Sequence, residues 1–451
     1  MLLLRQMKLN TSYNQIWRIS APIMLGSAAQ NIVALSDSVF LFHLGKSDFA
    51  AIGFVGVFYL VVAAIGYGFS KGGQIMIARR AGEGCLAEVG RTFYSLVYFE
   101  LGLAVALFLF MHYGCDAFFA LIVDSPLIHA KSLEYLEYRS WGVFFSYIGV
   151  AIIALYTGVA RTAFIIVDTL LLGVVNIVLN YALIFGHWGF PAMGIGGAAL
   201  ASTIAEIVAF LVFIMYILLD KSARQYRLFV LPKVDWQLIK QQYQLSAPIV
   251  AQAIVGLGSW FVFFGLVENL GERELAISNL IRMVYLALSV PAWGFSSGIN
   301  TLVSNFIGQQ KRQAVIPIIW KTAKMCLLVT LLLSLPVVLF PEQALYPFLG
   351  GADMTLIGEA QPIFYILLGI LGLFSVGAIF FNGLAGVGAT RIGLKIQFVS
   401  AVGYLLYIYI VIHYTNGGLL WAWAAEIFYW IAVLVWTIFY LKSRDWYGLK
   451  V

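Results

Sequence analysis

The stretch "ISAPIMLGSAAQNIVALSDSVFLFHL", residues 19–44, decides the fold because it is mostly apolar over more than the length of one membrane crossing. A helix needs about 20 such residues to cross about 30 Å of hydrocarbon. One carboxylate, Asp37, interrupts the run. Because a charge at this depth is expensive, it is usually tolerated only where it faces a cavity, a partner or an ion. The stretch therefore predicts a membrane helix that carries a polar site.

The composition of the whole chain also predicts a membrane protein. Of 451 residues, 62% are hydrophobic and only 11% are charged, which excludes an ordinary soluble domain. The opening "MLLLRQMK" is too short an apolar run for a secretory signal, so we expect the N-terminus to be retained. The three cysteines, Cys85, Cys115 and Cys326, are scattered without metal-binding spacing, so we expect free thiols and no bound metal.

Apolar runs of about 20 residues can be marked off twelve times, and each predicts one transmembrane helix. The sequence therefore predicts an all-α polytopic membrane protein. The runs lie near residues 16–41, 50–72, 92–112, 139–158, 163–185, 194–219, 246–267, 275–300, 322–340, 361–385, 395–414 and 417–440.

The distribution of Lys and Arg predicts the orientation of these helices. With a cytoplasmic N-terminus, all but five of the 27 Lys and Arg residues fall in or beside cytoplasmic segments; the exceptions are Lys46, Lys131, Arg139, Arg273 and Arg282. The positive-inside rule then places both termini in the cytoplasm of a multi-pass protein of the plasma (inner) membrane. This topology explains the net charge of +6, so we expect membrane lipid and no nucleic acid as a partner.

The two halves of the sequence resemble each other. Three segments return in the same order at offsets of 226, 226 and 220 residues, which indicates an internal duplication of six spans. Six is even, so the sequence predicts two six-helix lobes related by pseudo-two-fold symmetry along the membrane normal. We expect an N-terminal lobe at 1–220, a cytoplasmic linker at 221–244 and a C-terminal lobe at 245–451. The paired segments are "ISAPI" at Ile19 and "LSAPI" at Leu245, "FSKGGQIMIARRAGEG" at Phe69 and "FSSGINTLVSNFIGQQ" at Phe295, and "AEI" at Ala205 and Ala425.

Four segments make a family resemblance specific: "APIMLGSAAQNIVALSDSVFLFHLG" at Ala21, "ARRAGEG" at Ala78, "VVNIVLNYALIFG" at Val174 and "GIGGAALASTIAEI" at Gly194. With the twelve spans and the repeat, essentially the whole chain resembles the multidrug and toxic compound extrusion (MATE) family. The segment "VARTAFII" at Val159 and the "IAE" of the sixth span are more similar to its DinF-like branch. The resemblance implies cation-coupled export of amphipathic or cationic organic compounds by alternating access.

Polar side chains of the N-terminal lobe are predicted to lie at similar depth. Counted at 1.5 Å per residue, Asp37 lies in the outer half of the first span. Asn176 and Asn180, four residues apart, share one face of the fifth span. Ser202 lies in the outer half of the sixth span, with Glu206 one turn deeper. These side chains thus converge at similar depth, and the family resemblance implies that they form a site for cation or proton coupling.

The resemblance implies roles for individual residues of this site. In the family, an Asp of the first span and an Asn-x-x-x-Asp pair of the fifth line a cavity for the coupling cation, and Asp37, Asn176, Ser202 and Tyr135 match family positions. Asn180 stands where many relatives carry the second Asp, which removes one negative charge and favours a proton over sodium as the coupling ion. A Na⁺ ion at Asp37, Asn176 and Asn180 is the alternative, and no other cofactor is expected.

Each of these residues also has a structural interpretation. Asp37 could be an interfacial carboxylate that is hydrogen-bonded to nearby helices. The amide and hydroxyl side chains could simply join helices by hydrogen bonds. Glu206 and Glu426 occupy equivalent positions in the two repeats, which suits structural pairing as well as transport.

The predicted seventh and tenth spans of the C-terminal lobe, 246–267 and 361–385, contain no carboxylate, so an ion site is not expected there. They carry an amide and several aromatic side chains that could form a wall for flat amphipathic cargo. Ordinary core or lipid-facing roles are the alternative. These residues are Gln252, Trp260, Phe261, Phe264, Phe374 and Phe380.

Other functions fit the sequence less well. No G-x-x-x-x-G-K-[ST] loop occurs, and "GFSSG" at Gly294 lacks the context of a catalytic serine and has a repeat counterpart, "GFSKG", at Gly68, so we expect no enzyme. We expect cation efflux by a monomer. The alternative is a flippase for a lipid-linked intermediate or an organic-acid exporter. A flippase for large anionic headgroups needs several cationic residues in its cleft, whereas an acidic interior favours cations. The buried charges identified from the sequence are Asp37, Asp168, Glu206 and Glu426.

Overall fold

The computed structural model describes residues 9–349, 355–415 and 417–449, and within these ranges the regular structure is helical. A π-helical turn spans Phe110–Gly114. The α-helices are α1 Tyr13–Leu44, α2 Lys46–Glu83, α3 Leu86–Leu109, α4 Cys115–Ala120, α5 Pro126–Gly158, α6 Ala163–Phe185, α7 Gly194–Leu219, α8 Trp236–Glu268, α9 Glu272–Leu288, α10 Val290–Gly308, α11 Val315–Leu339, α12 Pro341–Leu349, α13 Thr355–Gly386, α14 Thr390–Tyr414 and α15 Gly418–Ser443.

Local sequence explains where the helices that carry the site begin and end. Ser125 caps α5 by accepting a hydrogen bond from the Ile128 backbone N–H at 3.4 Å, and Pro126 occupies the first turn, where its missing N–H is not needed. Gly186 ends α6 with a φ of 75°, a left-handed conformation that glycine adopts without steric cost. The start of α5 and the end of α6 are therefore set by ordinary capping residues.

The helices identify a multi-pass membrane protein. Among the described residues, ten helices are long and apolar enough to cross a membrane, and α9 with α10, bent by 43° at their junction, would form an eleventh span. The first predicted span, 16–41, lies within α1, where the side chains of residues 31–35 are outside the described set. The number of twelve spans and the symmetry of the two lobes stay predictions.

The described chain divides into two compact units. The N-unit is Leu25–Ala247, and the C-unit comprises the described residues before Leu25 and after Ala247. Both boundaries fall inside helices, so α1 and α8 each contribute their first turns to one unit and the remainder to the other. Each unit has its own buried apolar core: that of the N-unit includes Val55, Phe119, Val143 and Tyr147, and that of the C-unit includes Phe263, Phe364, Ile408 and Trp423.

Two serines of the repeated segment make equivalent contacts, one in each unit. In the C-unit, Ser20 lies against Gly298 of α10, and in the N-unit, Ser246 lies against Gly72 of α2; a Cβ on either glycine would overlap the serine hydroxyl. Ser246 Oγ also donates to the Phe69 carbonyl at 3.0 Å. Both serines occupy the same place in their repeats, and so do both glycines. The duplicated segments therefore pack alike.

The predicted linker, 221–244, is held against the N-unit. Tyr98 donates to the Pro232 carbonyl at 2.9 Å, and Arg91 donates to Asp235 at 2.5 Å. The segment turns through its first half and then enters α8 at Trp236. The helix begins there because the Asp235 carboxylate accepts the Leu238 backbone N–H at 3.0 Å, which makes Asp235 an N-cap.

Candidate coupling site of the N-unit

Four predicted site residues form one hydrogen-bonded chain across three helices. On α6, Asn180 Nδ2 donates to Asn176 Oδ1 at 3.1 Å and also to Oδ1 of Asp37 on α1. Asn176 Nδ2 in turn donates to the Ser202 hydroxyl on α7 at 3.0 Å. The four-residue spacing of the asparagines places both amides on one face of α6. The structure thus brings Asp37, Asn176, Asn180 and Ser202 into contact.

The two asparagines are shielded from solvent, with Asn176 1% and Asn180 0% exposed, whereas Asp37 is only partly buried. Asn180 Oδ1 is buried and accepts no hydrogen bond from the described residues. An unused buried acceptor is costly. This oxygen belongs to the same amide whose N–H contacts Asp37. The Asp37 end of the hydrogen-bonded chain can therefore accept one more hydrogen bond.

Glu206, the fifth predicted residue, is engaged in an ion pair with Arg139 of α5. Arg139 Nη1 donates to Glu206 Oε2 at 2.7 Å, and Nη2 donates to Oε1 at 2.5 Å. The side chains are 9% and 14% exposed. The two parallel bonds match the planar guanidinium to the planar carboxylate. Glu206 follows Ser202 by one turn of α7, so the ion pair adjoins the hydrogen-bonded chain.

The surroundings of the ion pair are shaped to fit it. The Arg139 guanidinium lies over the Tyr59 ring of α2, with Cζ 4.0 Å from the ring centroid, which adds a cation–π contact. Gly142, three residues further along α5, leaves the necessary space, since a Cβ there would clash with both Arg139 and Glu206. Three helices of the N-unit therefore fix this pair.

Tyr135, the sixth predicted residue, lies on α5 one turn before Arg139. Its side chain belongs to the apolar core of the N-unit and the residue is 8% exposed. It interacts electrostatically with both Arg139 and Asp37. The tyrosine therefore interacts with both charged parts of the site.

Arg139 is the residue of this site that the sequence analysis missed. The fourth span was expected at 139–158, which put Arg139 at its outer end. Helix α5 begins at Pro126, so Arg139 lies about 20 Å along it and is buried. The buried charges of the N-unit therefore include a cation that was not among the four expected from the sequence. The Ser125–Pro126 start signal could have revealed the longer helix.

Two further buried carboxylates of the N-unit each have an oxygen without a partner among the described residues. Glu100 of α3 accepts a hydrogen bond from Ser70 at 2.8 Å, while its Oε2 has no partner among the described residues. Asp168 of α6 is 4% exposed, and its Oδ1 is likewise unpaired within the described chain. Three or more His, Cys, Asp or Glu side chains do not gather into a metal-binding group anywhere in the described ranges.

The six residues of the expected aromatic wall separate into different environments in the C-unit. Trp260 and Phe264 pack together with ring centroids 6.1 Å apart, and Tyr285 joins Trp260 to Phe374 at 5.4 and 5.7 Å. The remaining three lie elsewhere: Phe261 is 81% exposed, Phe380 packs on Trp320 at 4.8 Å, and Gln252 donates to the Thr390 carbonyl at 3.0 Å.

Comparison with known proteins gives matches along most of the chain. The MatE family profile matches residues 22–182 and 248–410. A protein of Agrobacterium fabrum named "Probable multidrug resistance protein NorM" is 24% identical over 298 residues, which are 64% of this chain and 63% of that protein. A protein of the same name from Synechocystis sp. is 26% identical over 401 residues, 86% of this chain and 78% of that one.

A solved structure shows the same fold. It is described as "Crystal structure of MATE in the straight conformation", and it superposes with a TM-score of 0.88 at 20% identity over 98% of both chains.

Proposed function

The chain belongs to the MatE family, whose members are transporters and not enzymes, and from this premise we propose that it is a secondary efflux transporter that exports amphipathic or cationic organic compounds in exchange for protons. The multidrug resistance names of its relatives support small organic cargo. We place it in the DinF-like branch, as a monomer with twelve spans in two alternating-access lobes. The protein lies in the plasma (inner) membrane, with both termini cytoplasmic.

The observation that carries the coupling part of this proposal is the contact of Asn180 with Asp37. A partly buried carboxylate inside a membrane helix needs a partner for its charge. The Asn180 N–H stabilises the ionised form, and the unused Oδ1 of the same amide is an acceptor for the O–H of the protonated form. One side chain thereby supports both protonation states, which is the requirement for a reversible proton carrier.

The Arg139–Glu206 pair sets the charge of the site. Its two charges cancel, so the charge of this cluster is −1 when Asp37 is ionised and zero when it is protonated. The cluster therefore takes up one unit of positive charge in each cycle. The bidentate bonds also commit the Arg139 guanidinium to Glu206, which gives no support to export of an organic acid or flipping of an anionic lipid.

The choice of proton over sodium follows from the donor set. Sodium and other hard cations are held by several oxygen ligands, carboxylates among them. Asp37 is the one carboxylate of the hydrogen-bonded chain, because residue 180 is an asparagine whose N–H faces it. An N–H donor in this position supplies no oxygen ligand to a metal ion, so the donor set supports a proton as the coupling ion.

Transport by purified protein in liposomes tests the proposal. A permanently charged fluorescent cation is added outside vesicles with an acidic lumen, and a parallel set receives an equal sodium gradient at uniform pH. We expect the proton gradient to drive accumulation and the sodium gradient to have no effect. Accumulation with sodium alone would refute proton coupling, and no accumulation with either gradient would refute cation efflux.

The native cysteines offer a test of the orientation. Cys85, between α2 and α3, is exposed, whereas Cys115 and Cys326 are buried. A membrane-impermeant maleimide should therefore label Cys85 from the cytoplasmic face of inverted vesicles and not from the outside of intact cells. Labelling from the outside would reverse the proposed topology.

A further inference from the structure

Glu426 of α15 is a buried carboxylate of the C-unit that the coupling site does not use. The residue is 4% exposed, and it stands in the same place of the "AEI" segment as Glu206 of the N-unit. Glu206 is neutralised by Arg139. Glu426 forms no ion pair within the described chain, where its hydrogen-bond donors are uncharged. A cation thus neutralises Glu206 in one repeat, whereas the equivalent Glu426 of the other repeat has only uncharged donors.

The donors to Glu426 leave part of its bonding capacity unused. Trp260 Nε1 donates at 3.0 Å and the Tyr404 hydroxyl donates at 3.1 Å, both to Oε1. The indole of Trp430, one turn further along α15, interacts with the same carboxylate. Its Nε1 is buried and reaches no acceptor at hydrogen-bonding distance among the described residues. The polar groups here are therefore incompletely matched to one another.

Aromatic rings surround this carboxylate. Besides Trp260, Tyr404 and Trp430, two more rings belong to this cluster: Tyr285 packs on Trp260 at 5.4 Å, and Phe374 packs on Trp430 at 4.8 Å. Trp260 and Trp430 are only partly buried, whereas Tyr285, Phe374 and Tyr404 are buried. The set is called the Glu426 cage from here on, and it comprises Glu426, Trp260, Tyr285, Phe374, Tyr404 and Trp430.

A native cation already lies on a ring at the edge of the cage. The Arg282 guanidinium of α9 is exposed, and its Cζ is 4.9 Å from the centroid of Phe264, which packs on Trp260 at 6.1 Å. Aromatic faces attract cations through the ring quadrupole. A cation–π contact thus already exists at the edge of the Glu426 cage.

These observations indicate which kind of ligand the Glu426 cage would bind. A buried carboxylate without a cation is expensive in a membrane helix, and a carboxylate among Trp and Tyr faces is the arrangement that recognises organic ammonium-type cations. We propose that the Glu426 cage binds the cationic group of the exported compound. The inference rests on the proposed efflux function, and it separates cargo recognition in the C-unit from proton carriage at Asp37 in the N-unit.

Equilibrium binding of tetraphenylphosphonium to purified protein in detergent tests the cage. Replacing Glu426 by Gln keeps the size and hydrogen bonding of the side chain but removes its charge, so the affinity should fall about tenfold or more. The matched control is Glu268→Gln, an exposed carboxylate at the end of α8, which should leave the affinity unchanged. Triphenylphosphine oxide, a neutral compound of related shape, should lose no affinity in either variant.

The folded state of each variant is checked by its melting temperature in detergent. If Glu426→Gln does not fold, Trp260→Phe, which keeps a ring but removes the N–H donor, serves in its place and should weaken the phosphonium about threefold or more. Unchanged phosphonium affinity in the folded variant overturns the proposal, and so does a wild-type protein that does not bind the probe. If the wild-type protein shows no proton-driven transport but binds the phosphonium in a way that depends on Glu426, the coupling proposal is refuted and the cage proposal stands.

Discussion

Asn180 donates its side-chain N–H to the carboxylate of Asp37, and this bond joins α6 to α1 within the N-unit. The same amide donates to Asn176, which reaches Ser202 on α7. A change of protonation at Asp37 therefore alters the bonds that hold three helices together. We propose this as the physical link between proton binding and helix movement in the exchanger.

Replacing Asn180 by Asp should change the coupling ion. A second carboxylate beside Asp37 adds a negative charge and removes the N–H donor, so the site should accept Na⁺. Uptake of a fluorescent cation into liposomes should then respond to a sodium gradient, which we expect to have no effect on the wild type. Asn269→Asp, an exposed position after α8, is the control. A sodium response in the control, or none in Asn180→Asp, would contradict the assignment.

Breaking the Arg139–Glu206 pair should destabilise the N-unit. Arg139→Met leaves Glu206 as a buried unpaired charge, which costs about 3–5 kcal/mol, whereas removing both charges in Arg139→Met with Glu206→Leu should recover most of the loss. The exposed pair of Arg273 and Glu359, at 2.9 Å, is the control, since Arg273→Met should cost at most about 1 kcal/mol. Chemical denaturation in detergent measures these free energies, and equal losses for both arginines would show that the buried pair has no special role.

The serine–glycine contacts predict a symmetric effect of two substitutions. Gly72→Ala and Gly298→Ala each force a methyl group onto a serine hydroxyl, and such overpacking costs about 1–3 kcal/mol. Gly258→Ala has open space around its Cβ and should be neutral or slightly stabilising because alanine favours a helix. Melting temperatures of the three variants test this. A loss at only one of the two contact glycines would show that the repeats pack differently.

Acid should weaken the attachment of the segment that follows α7. Burial opposes ionisation of Asp220, but hydrogen bonds from Arg161 at 2.8 and 2.6 Å and from the Ser222 backbone outweigh it and lower the Asp220 pKa below its usual value. A lowered pKa in the folded state stabilises the fold above the unfolded pKa of about 4, and this stability is lost as the pH falls through the folded value. Asp220→Asn should cost about 1.5–3 kcal/mol near neutral pH, with a difference from wild type that shrinks below about pH 4. A constant difference at all pH values would exclude this ionisation.

Helix geometry explains which parts of the site the sequence could predict. The depth of Asp37, Asn180 and Ser202 follows from counting residues at a fixed rise, so their convergence was foreseeable. Arg139 was missed because its depth depends on where α5 begins, and span boundaries are the least certain feature of a hydropathy pattern. Its bond to Glu206 is a tertiary contact with no local signal.

The aromatic residues show the same limit. Trp260 and Phe264, four residues apart, share a helix face, as their packing confirms, whereas Phe261 is rotated by about 100° from Trp260 and is exposed. The composition of the spans shows that they are rich in aromatic residues. Only the helical periodicity within a span separates the face whose aromatic residues pack together from the exposed face. The division of α1 and α8 between the two units likewise depends on packing partners distant in sequence.

The Asp37→Asn variant in liposomes tests the central claim most directly. The amide keeps the size of the side chain and removes its titration, so a proton gradient should no longer drive accumulation of the cation. The melting temperature and the equilibrium affinity for tetraphenylphosphonium should stay near the wild-type values, because the proposed cargo site lies at Glu426. Undiminished proton-driven accumulation by the folded Asp37→Asn protein would contradict the account.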